Sequence, residues 1–160
     1  AAAGRLDPRH GGLPVDLFAE PFSGRRTVYG FIDRQNLPGV LRTFDHPNPD
    51  VSTAQRFATT VPQQALFLLN GPFVLEMARG AAARAEAVAG GDGPAAAAEL
   101  FRIVHQRSPG PDELALAREF LAAPAATGAE ASTPGAKAPL SRLAEFAQVM
   151  LLSNETAFVD

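Results

Sequence analysis

Residues 45 to 50, DHPNPD, place two carboxylates and an imidazole within six residues. Carboxylates bind hard metal ions, and a carboxylate or an imidazole can transfer protons as a general acid or base. Two prolines make the segment stiff and extended, so adjacent side chains diverge, and Asp, Asn and Pro are also the residues of ordinary turns. We therefore predict a turn, with no metal site, and assign no catalytic residue. The alternative requires Asp45, His46 and Asp50 to converge.

Charged residues in the block from residue 25 to residue 74 are arginines and aspartates, without lysine or glutamate. Arginine binds a carboxylate through two parallel N–H groups, which suits ion pairs that connect irregular backbone segments. We predict a structural ion-pair network from Arg25, Arg26, Asp33, Arg34, Asp45 and Asp50.

A second candidate site lies where a helix is predicted to begin. Thr60 and Gln63 fit a capping box, so a helix should begin at about Val61. The free N–H groups of a helix start attract sulfate, phosphate and carboxylate groups. We predict an anion-binding site from Arg56, Thr59 and Thr60. The alternative is that Thr60 only caps the helix.

Composition excludes several classes of function. The chain has 160 residues, 46% of them hydrophobic and 19% charged, as expected for one globular domain. No apolar run approaches the roughly 20 residues of a membrane helix, so we predict no membrane span. The net charge of −3 gives no basic field, which argues against nucleic-acid binding. Cysteine is absent, so the chain can form no disulfide, thiolate metal site or covalent c-type haem attachment, and we predict no cofactor on it.

Helix breakers and apolar periodicity predict a mainly α protein. Residues 1 to 24 are rich in glycine and proline and should form an extended arm, followed by a single helical domain over residues 25 to 160. Residues 26 to 44 fit either one short β-hairpin or one helical turn. Helices should begin at about Val61, Pro72, Pro94 and Pro111, with a last helix over residues 140 to 152 and a mobile linker over residues 124 to 138. We expect a four- to five-helix orthogonal bundle with a loop-rich N-terminal half.

Four motifs occur in a distinctive order: RRTVYGFIDRQNLPG, LRTFDHPNPD, QRFATTVPQQALFLLN and the terminal VMLLSNETAFVD. Over residues 11 to 160 the chain resembles the planctomycete PSD-one domain, the C-terminal domain of unknown function fifteen-fifty-three of large bacterial proteins. The resemblance implies an exported, extracytoplasmic protein of planctomycetes and their relatives. It also implies upstream domains that often include a cytochrome c module, so any haem would be bound upstream. It further implies a natural chain end near Asp160, and it supplies no catalytic residue.

The chain carries several motifs but no recognisable set of catalytic residues. This combination favours a non-catalytic interaction or structural module over an enzyme. We expect such a module to pack on the upstream domains of the same polypeptide and to bind an anionic or glycan ligand at the predicted anion site. The alternative is part of a polysaccharide-acting enzyme, whose site upstream domains complete, with Asp33, Asp45, His46 or Asp50 in it. Exposed apolar surface beside residues 25 to 56 would favour the interaction module.

Overall fold

The structure is a computed structural model that describes residues 1–55, 59–124 and 138–157. These residues form one 3₁₀ turn, Thr27–Tyr29, and seven α-helices. The helices are α1 (Gly39–Thr43), α2 (Pro62–Asn70), α3 (Pro72–Ala89), α4 (Gly93–Val104), α5 (Pro111–Ala122), α6 (Arg142–Leu152) and α7 (Asn154–Ala157). The prediction of a mainly helical bundle is confirmed. Over the described ranges, none of the helices combines the length and the apolar character needed to cross a membrane.

Backbone contacts divide the chain into two compact units. The C-terminal unit comprises Ala1–Arg5 and Val74–Asp160, and the N-terminal unit comprises Leu6–Phe73. The predicted division into an arm and one domain, at residue 25, stays a prediction. Residues 125 to 137 of the predicted linker lie outside the described residues.

Small residues let the helices of the C-terminal unit approach closely. Helix α3 buries one face that consists of Val74, Ala78, Ala81, Ala82 and Ala85. Helix α4 packs against α5 and α6, and its Leu100 is fully buried in the shared core. The last helix, predicted over residues 140 to 152, is α6, and it buries Leu143, Ala147 and Met150, since positions three or four apart share one face of a helix.

Most helix boundaries follow the predicted breakers. Helix α6 begins where Ser141 Oγ accepts a hydrogen bond from the Ala144 N–H at 3.2 Å. Helix α3 ends before Gly90 and Gly91, whose positive φ angles glycine adopts without a steric penalty.

The predicted capping box at α2 is wrong. The N-cap residue is Val61 in extended conformation, and no side chain caps the helix. Because the first helical residue is Pro62, Thr60 lies one residue too early to bond the N–H groups of the first turn.

Residues 26 to 44 adopt the helical alternative and form no β-hairpin. The N–H groups of Tyr29 and Gly30 donate to the carbonyls of Arg26 and Thr27, each at 2.9 Å. This is the i to i+3 pattern of a 3₁₀ turn, and here it outweighs the β-branched and aromatic character of the segment. In the described residues, β pairing is limited to two isolated parallel bridges, Asp7 with Arg25 and Val15 with Gly30.

Candidate functional site

The N-terminal unit contains a cleft of about 670 Å³ beside the end of α1. Its lining includes the charged or titratable residues Arg34, Arg42, Asp45, His46 and Asp50. Asp45, His46 and Asp50 therefore line one cleft, as the alternative interpretation of the DHPNPD segment requires. Among the described residues, no three His, Asp or Glu side chains are grouped so that they could hold a metal ion.

Two tight turns place these side chains. The Asp45 N–H donates to the Arg42 carbonyl at 3.3 Å, and Asp45 has a φ of 54°, in the left-handed region that aspartate tolerates better than most residues. Three residues on, Asn48 Oδ1 accepts a hydrogen bond from the Asp50 N–H at 3.0 Å. The segment thus turns twice within six residues, which brings both carboxylates to the same cleft.

Arg34 is the one predicted network arginine that the structure pairs with a predicted network aspartate among the described residues. Its Nε lies 3.5 Å from Asp50 Oδ1, and its Nη2 donates to the Pro49 carbonyl at 3.0 Å. Both side chains are more than half exposed, so the pair contributes little to stability. Its main effect is to fix the position of the turn at Pro49 and Asp50 relative to Arg34.

Asp45 bonds instead to Thr59, fourteen residues further along the chain. Thr59 donates its N–H to Asp45 Oδ2 at 2.7 Å, and its hydroxyl lies 2.8 Å from both carboxylate oxygens. A carboxylate of the chain itself therefore receives the donors of Thr59 that were predicted to hold an external anion.

Among the described residues, Arg25, Arg26 and Asp33 form no ion pair with one another or with the other network residues. Arg25 donates to the Gly11 carbonyl, and its guanidinium carbon lies 4.3 Å from the centre of the Tyr29 ring. Asp33 accepts a hydrogen bond from the Gln35 N–H at 2.9 Å and does not line the cleft. Arg26 is exposed at the start of the 3₁₀ turn.

Only part of the predicted anion site can be placed. Arg56 lies outside the described residues, and Thr60 is exposed without a capping role. Thr59 is occupied by Asp45. The site from Arg56, Thr59 and Thr60 therefore stays a prediction, and an incoming anion would compete with the Asp45 carboxylate.

Arg42 and His46 give the cleft its binding capacity. Within the described part of the chain, the Arg42 guanidinium has neither a hydrogen bond nor an ion pair. His46 Nδ1 lies 2.8 Å from the Pro47 carbonyl, which can only accept, so Nδ1 carries the proton and Nε2 of the neutral ring is free to accept. A free guanidinium beside such an imidazole can bind a ligand that carries carboxylate or sulfate and hydroxyl groups.

Sequence reasoning counted Arg42 among the arginines that face aspartates in this block, but it gave Arg42 no place in a binding site. The five-residue helix α1 places Arg42 at its last turn and therefore at the cleft. No strong sequence signal marks this helix, because proline favours the first helical position and here Pro38 is the N-cap while Gly39 is the first helical residue.

Large apolar side chains are exposed in the block from residue 25 to residue 74. Val28 is 76% exposed, and Phe31 and Val51 are each 62% exposed. Leu66 and Leu69 of α2 are also more than half exposed. Single exposed apolar residues are common on soluble proteins, and a contact surface requires several of them together. These five large ones in this one unit are available for such a surface.

A charged clamp in the C-terminal unit was not predicted. The Arg107 guanidinium bonds Glu113 at 2.6 and 2.7 Å and Glu155 at 2.6 and 2.8 Å. The pKa of Glu113 is lowered to about 2, mainly by the hydrogen bonds from Arg107. The same guanidinium is the main cause that lowers the pKa of Glu155. The partners lie six and 48 residues from Arg107, so no short motif reveals them.

Comparisons with known proteins identify the family of the chain but assign no activity to it. No curated protein and no solved structure is significantly similar to the chain. The family profile PSD1, described as Protein of unknown function (DUF1553), matches residues 1–121. That match covers three of the four motifs named above and most of the chain. This chain therefore belongs to the PSD1 (DUF1553) family of proteins of unknown function.

Proposed function

We propose that the chain is a non-catalytic helical interaction module that packs on the upstream domains of a larger exported polypeptide. The observation that carries the proposal is the exposure of Val28, Phe31 and Val51 within the motif-rich block. Burial of an exposed valine or phenylalanine against a partner releases about 1.5–3 kcal/mol per side chain. These residues alone would therefore supply a useful part of a domain–domain contact.

Polar groups around the apolar side chains suit the rim of such a contact. Arg26 and Arg34 are exposed near Val28 and Phe31 in sequence. Arginine is enriched at interfaces because its planar guanidinium can bond carboxylates and carbonyls while its stem covers apolar surface. The extracytoplasmic location, the planctomycete origin and a haem on an upstream module are parts of this proposal that rest on the family resemblance alone.

Hydrogen exchange tests the module hypothesis directly. Amides of residues 26 to 33 should exchange more slowly in the polypeptide that includes the upstream domains than in the chain alone, because the contact excludes water. The double variant Val28→Ser/Phe31→Ser should lose that protection while the unfolding of the isolated chain is unchanged. Val88→Ser is the matched control, since Val88 is equally exposed but lies on α3. Equal exchange rates with and without the upstream domains would contradict the proposal.

A second candidate function is a polysaccharide-acting enzyme whose site the upstream domains complete. The observation in its favour is the cleft, which gathers Asp45, His46, Asp50 and the free cation of Arg42. Turnover of sulfated and neutral glycans by the polypeptide with its upstream domains should fall when Asp45, His46 or Asp50 is replaced by alanine. Asp33→Ala serves as the control, because Asp33 does not line the cleft. Unchanged rates for all three cleft variants would exclude this function.

A further inference from the structure

The C-terminal unit has an open apolar groove that the proposed function does not use. The groove has a volume of about 620 Å³ and is lined mainly by α5 and α6, with Phe101 of α4, His105 and Glu155 of α7 also in its lining. Leu116 of α5 and Val149 of α6 are 66% and 55% exposed there. Phe120 and Phe146 also line it, with ring centres 5.6 Å apart. Two helices with a continuous apolar surface between them provide the kind of groove that accepts a third helix.

The dimensions of the groove limit the length of its occupant. Helix α5 has 12 residues and α6 has 11, so each wall is roughly 16–18 Å long at 1.5 Å per residue. Three turns of a helix have the same length. An occupant would therefore contribute about 11 residues, with apolar side chains at every third or fourth position.

Charges at the groove determine the character of the occupant. Glu119 lines the groove, and its carboxylate has no partner in the described residues. It lies about 60° from the Leu116 direction on the helix surface. Arg118 points about 160° away from Leu116, so it cannot neutralise Glu119 at the groove. The groove-side edge of α5 is therefore acidic.

The arginines at the groove are already neutralised. Arg142 Nη1 donates to Glu145 Oε2 at 2.5 Å and Nη2 donates to the Phe120 carbonyl at 2.6 Å. Arg107 pairs with both Glu113 and Glu155, and these three side chains together keep one negative charge. An occupant must consequently combine an apolar face with positive charge on its flanks.

We infer that this groove, formed by α5 and α6, binds an amphipathic, lysine- or arginine-bearing helix of a partner protein. Leu116 and Val149 would contact the apolar face of that helix, while Glu119 would pair with one of its basic side chains. This inference does not depend on the proposed function, because it concerns other residues in the other unit.

A pair of model peptides tests the inference. The probe is a fluorescein-labelled 15-residue helical peptide of leucine and lysine, with leucine at every third or fourth position, and its match carries glutamate in place of each lysine. Fluorescence anisotropy should show that the lysine peptide binds at least about tenfold more tightly than the glutamate peptide. Leu116→Asn should weaken binding of the lysine peptide about tenfold or more, because an apolar contact of the groove is lost.

Two control variants separate the groove from the rest of the surface. Val88→Asn changes an equally exposed apolar residue on α3 and should leave binding unchanged. Glu119→Lys should weaken the lysine peptide and strengthen the glutamate peptide, whereas Glu86→Lys, with the same change of charge on α3, should do neither.

Four outcomes would overturn the inference. They are equal binding of the two peptides, equal loss in the Leu116 and Val88 variants, tighter binding of anionic lipid vesicles than of the lysine peptide, and dimerisation of the chain that Leu116→Asn abolishes. The last two would assign the groove to a membrane surface or to a second copy. Thermal unfolding of each variant confirms that it is folded when it is assayed.

Discussion

Thr59 holds the Asp45 carboxylate with both its N–H and its hydroxyl, at 2.7 and 2.8 Å. The two residues are fourteen positions apart, so the contact ties the end of α1 to the segment before α2. Hydrogen bonds to a charged acceptor are shorter and stronger than those between neutral groups. Although this contact is exposed, it places two short donors on one carboxylate, so it should matter more to the N-terminal unit than the single 3.5 Å contact between Arg34 and Asp50.

Removal of the Thr59 hydroxyl should destabilise the N-terminal unit. Thr59→Val keeps the shape of the side chain and deletes one charge-assisted hydrogen bond, which should lower the free energy of unfolding by about 1–2 kcal/mol. Thr60→Val makes the same change at a residue whose side chain bonds to none of the residues that the structure describes, and it should cost less than about 0.5 kcal/mol. Urea unfolding followed by the fluorescence of Tyr29, the single tyrosine, reports on this unit. Equal costs for the two variants would refute the role of the Asp45 contact.

Removal of the Asp45 carboxylate should make the predicted anion site available. Asp45→Gly tolerates the positive φ of 54° at this position and leaves the Thr59 donors without an acceptor. Sulfate should then raise the unfolding midpoint of this variant by more than that of the unchanged chain, because an external oxyanion can replace the carboxylate. Sodium chloride at equal ionic strength controls for screening, and adding Thr59→Val should remove the extra gain. Identical sulfate responses with and without Asp45 would rule out the anion site.

Local patterns predicted the C-terminal helices well. The spacing of Leu143, Ala147 and Met150 is a property of adjacent turns, and Gly90 ends α3 by its own backbone preference. The contacts that form the cleft and the Arg107 clamp could not be predicted from patterns within one short segment. Asp45 reaches Thr59 fourteen residues away, and Arg107 reaches Glu155 across 48 residues. Such pairs depend on how distant segments pack, which no spacing within one segment encodes.

The Arg107 clamp should make stability depend on pH in the acidic range. Glu113 has its pKa lowered to about 2 from an ordinary value near 4.5, first of all by the hydrogen bonds from Arg107. Between those two pH values the unfolded chain binds more protons than the folded one, so acidification favours unfolding. The stabilisation is complete above about pH 5 and is lost as the pH falls through 4.5 towards 2.

The Arg107→Met variant tests this pH dependence. Without the guanidinium, Glu113 and Glu155 titrate closer to their ordinary values, so the variant should lose less thermal stability between pH 6 and pH 3 than the unchanged chain. Arg118→Met is the control, because Arg118 has no ion pair in the described residues. Added salt should reduce the difference, since the clamp is partly exposed. A parallel decline in the Arg107 variant and the unchanged chain would show that the clamp does not govern acid stability.

Gly80 should resist the substitution that usually stabilises a helix. Replacement of a glycine inside a helix by alanine gains about 1 kcal/mol. At Gly80 of α3, however, the new Cβ would lie 2.7 Å from the Ala3 Cβ, so the segment Ala1–Arg5 would have to move. Gly80→Ala alone should therefore gain nothing or destabilise the C-terminal unit, as measured by far-ultraviolet circular dichroism during thermal unfolding.

The double variant Ala3→Gly/Gly80→Ala separates the steric cost from the helix preference. Removing the Ala3 methyl eliminates the 2.7 Å contact but leaves the Ala3 Cα and carbonyl oxygen 3.3 Å from the new Cβ. The double variant should therefore regain part of the gain of about 1 kcal/mol that alanine offers inside a helix. The Arg84 guanidinium, 3.4 Å from the Ala2 carbonyl, should keep the segment in place in that variant. Should Gly80→Ala on its own stabilise the unit by the full amount, the close approach of Ala3 to α3 would be disproved. The non-additivity of the two substitutions is therefore the direct measure of that contact.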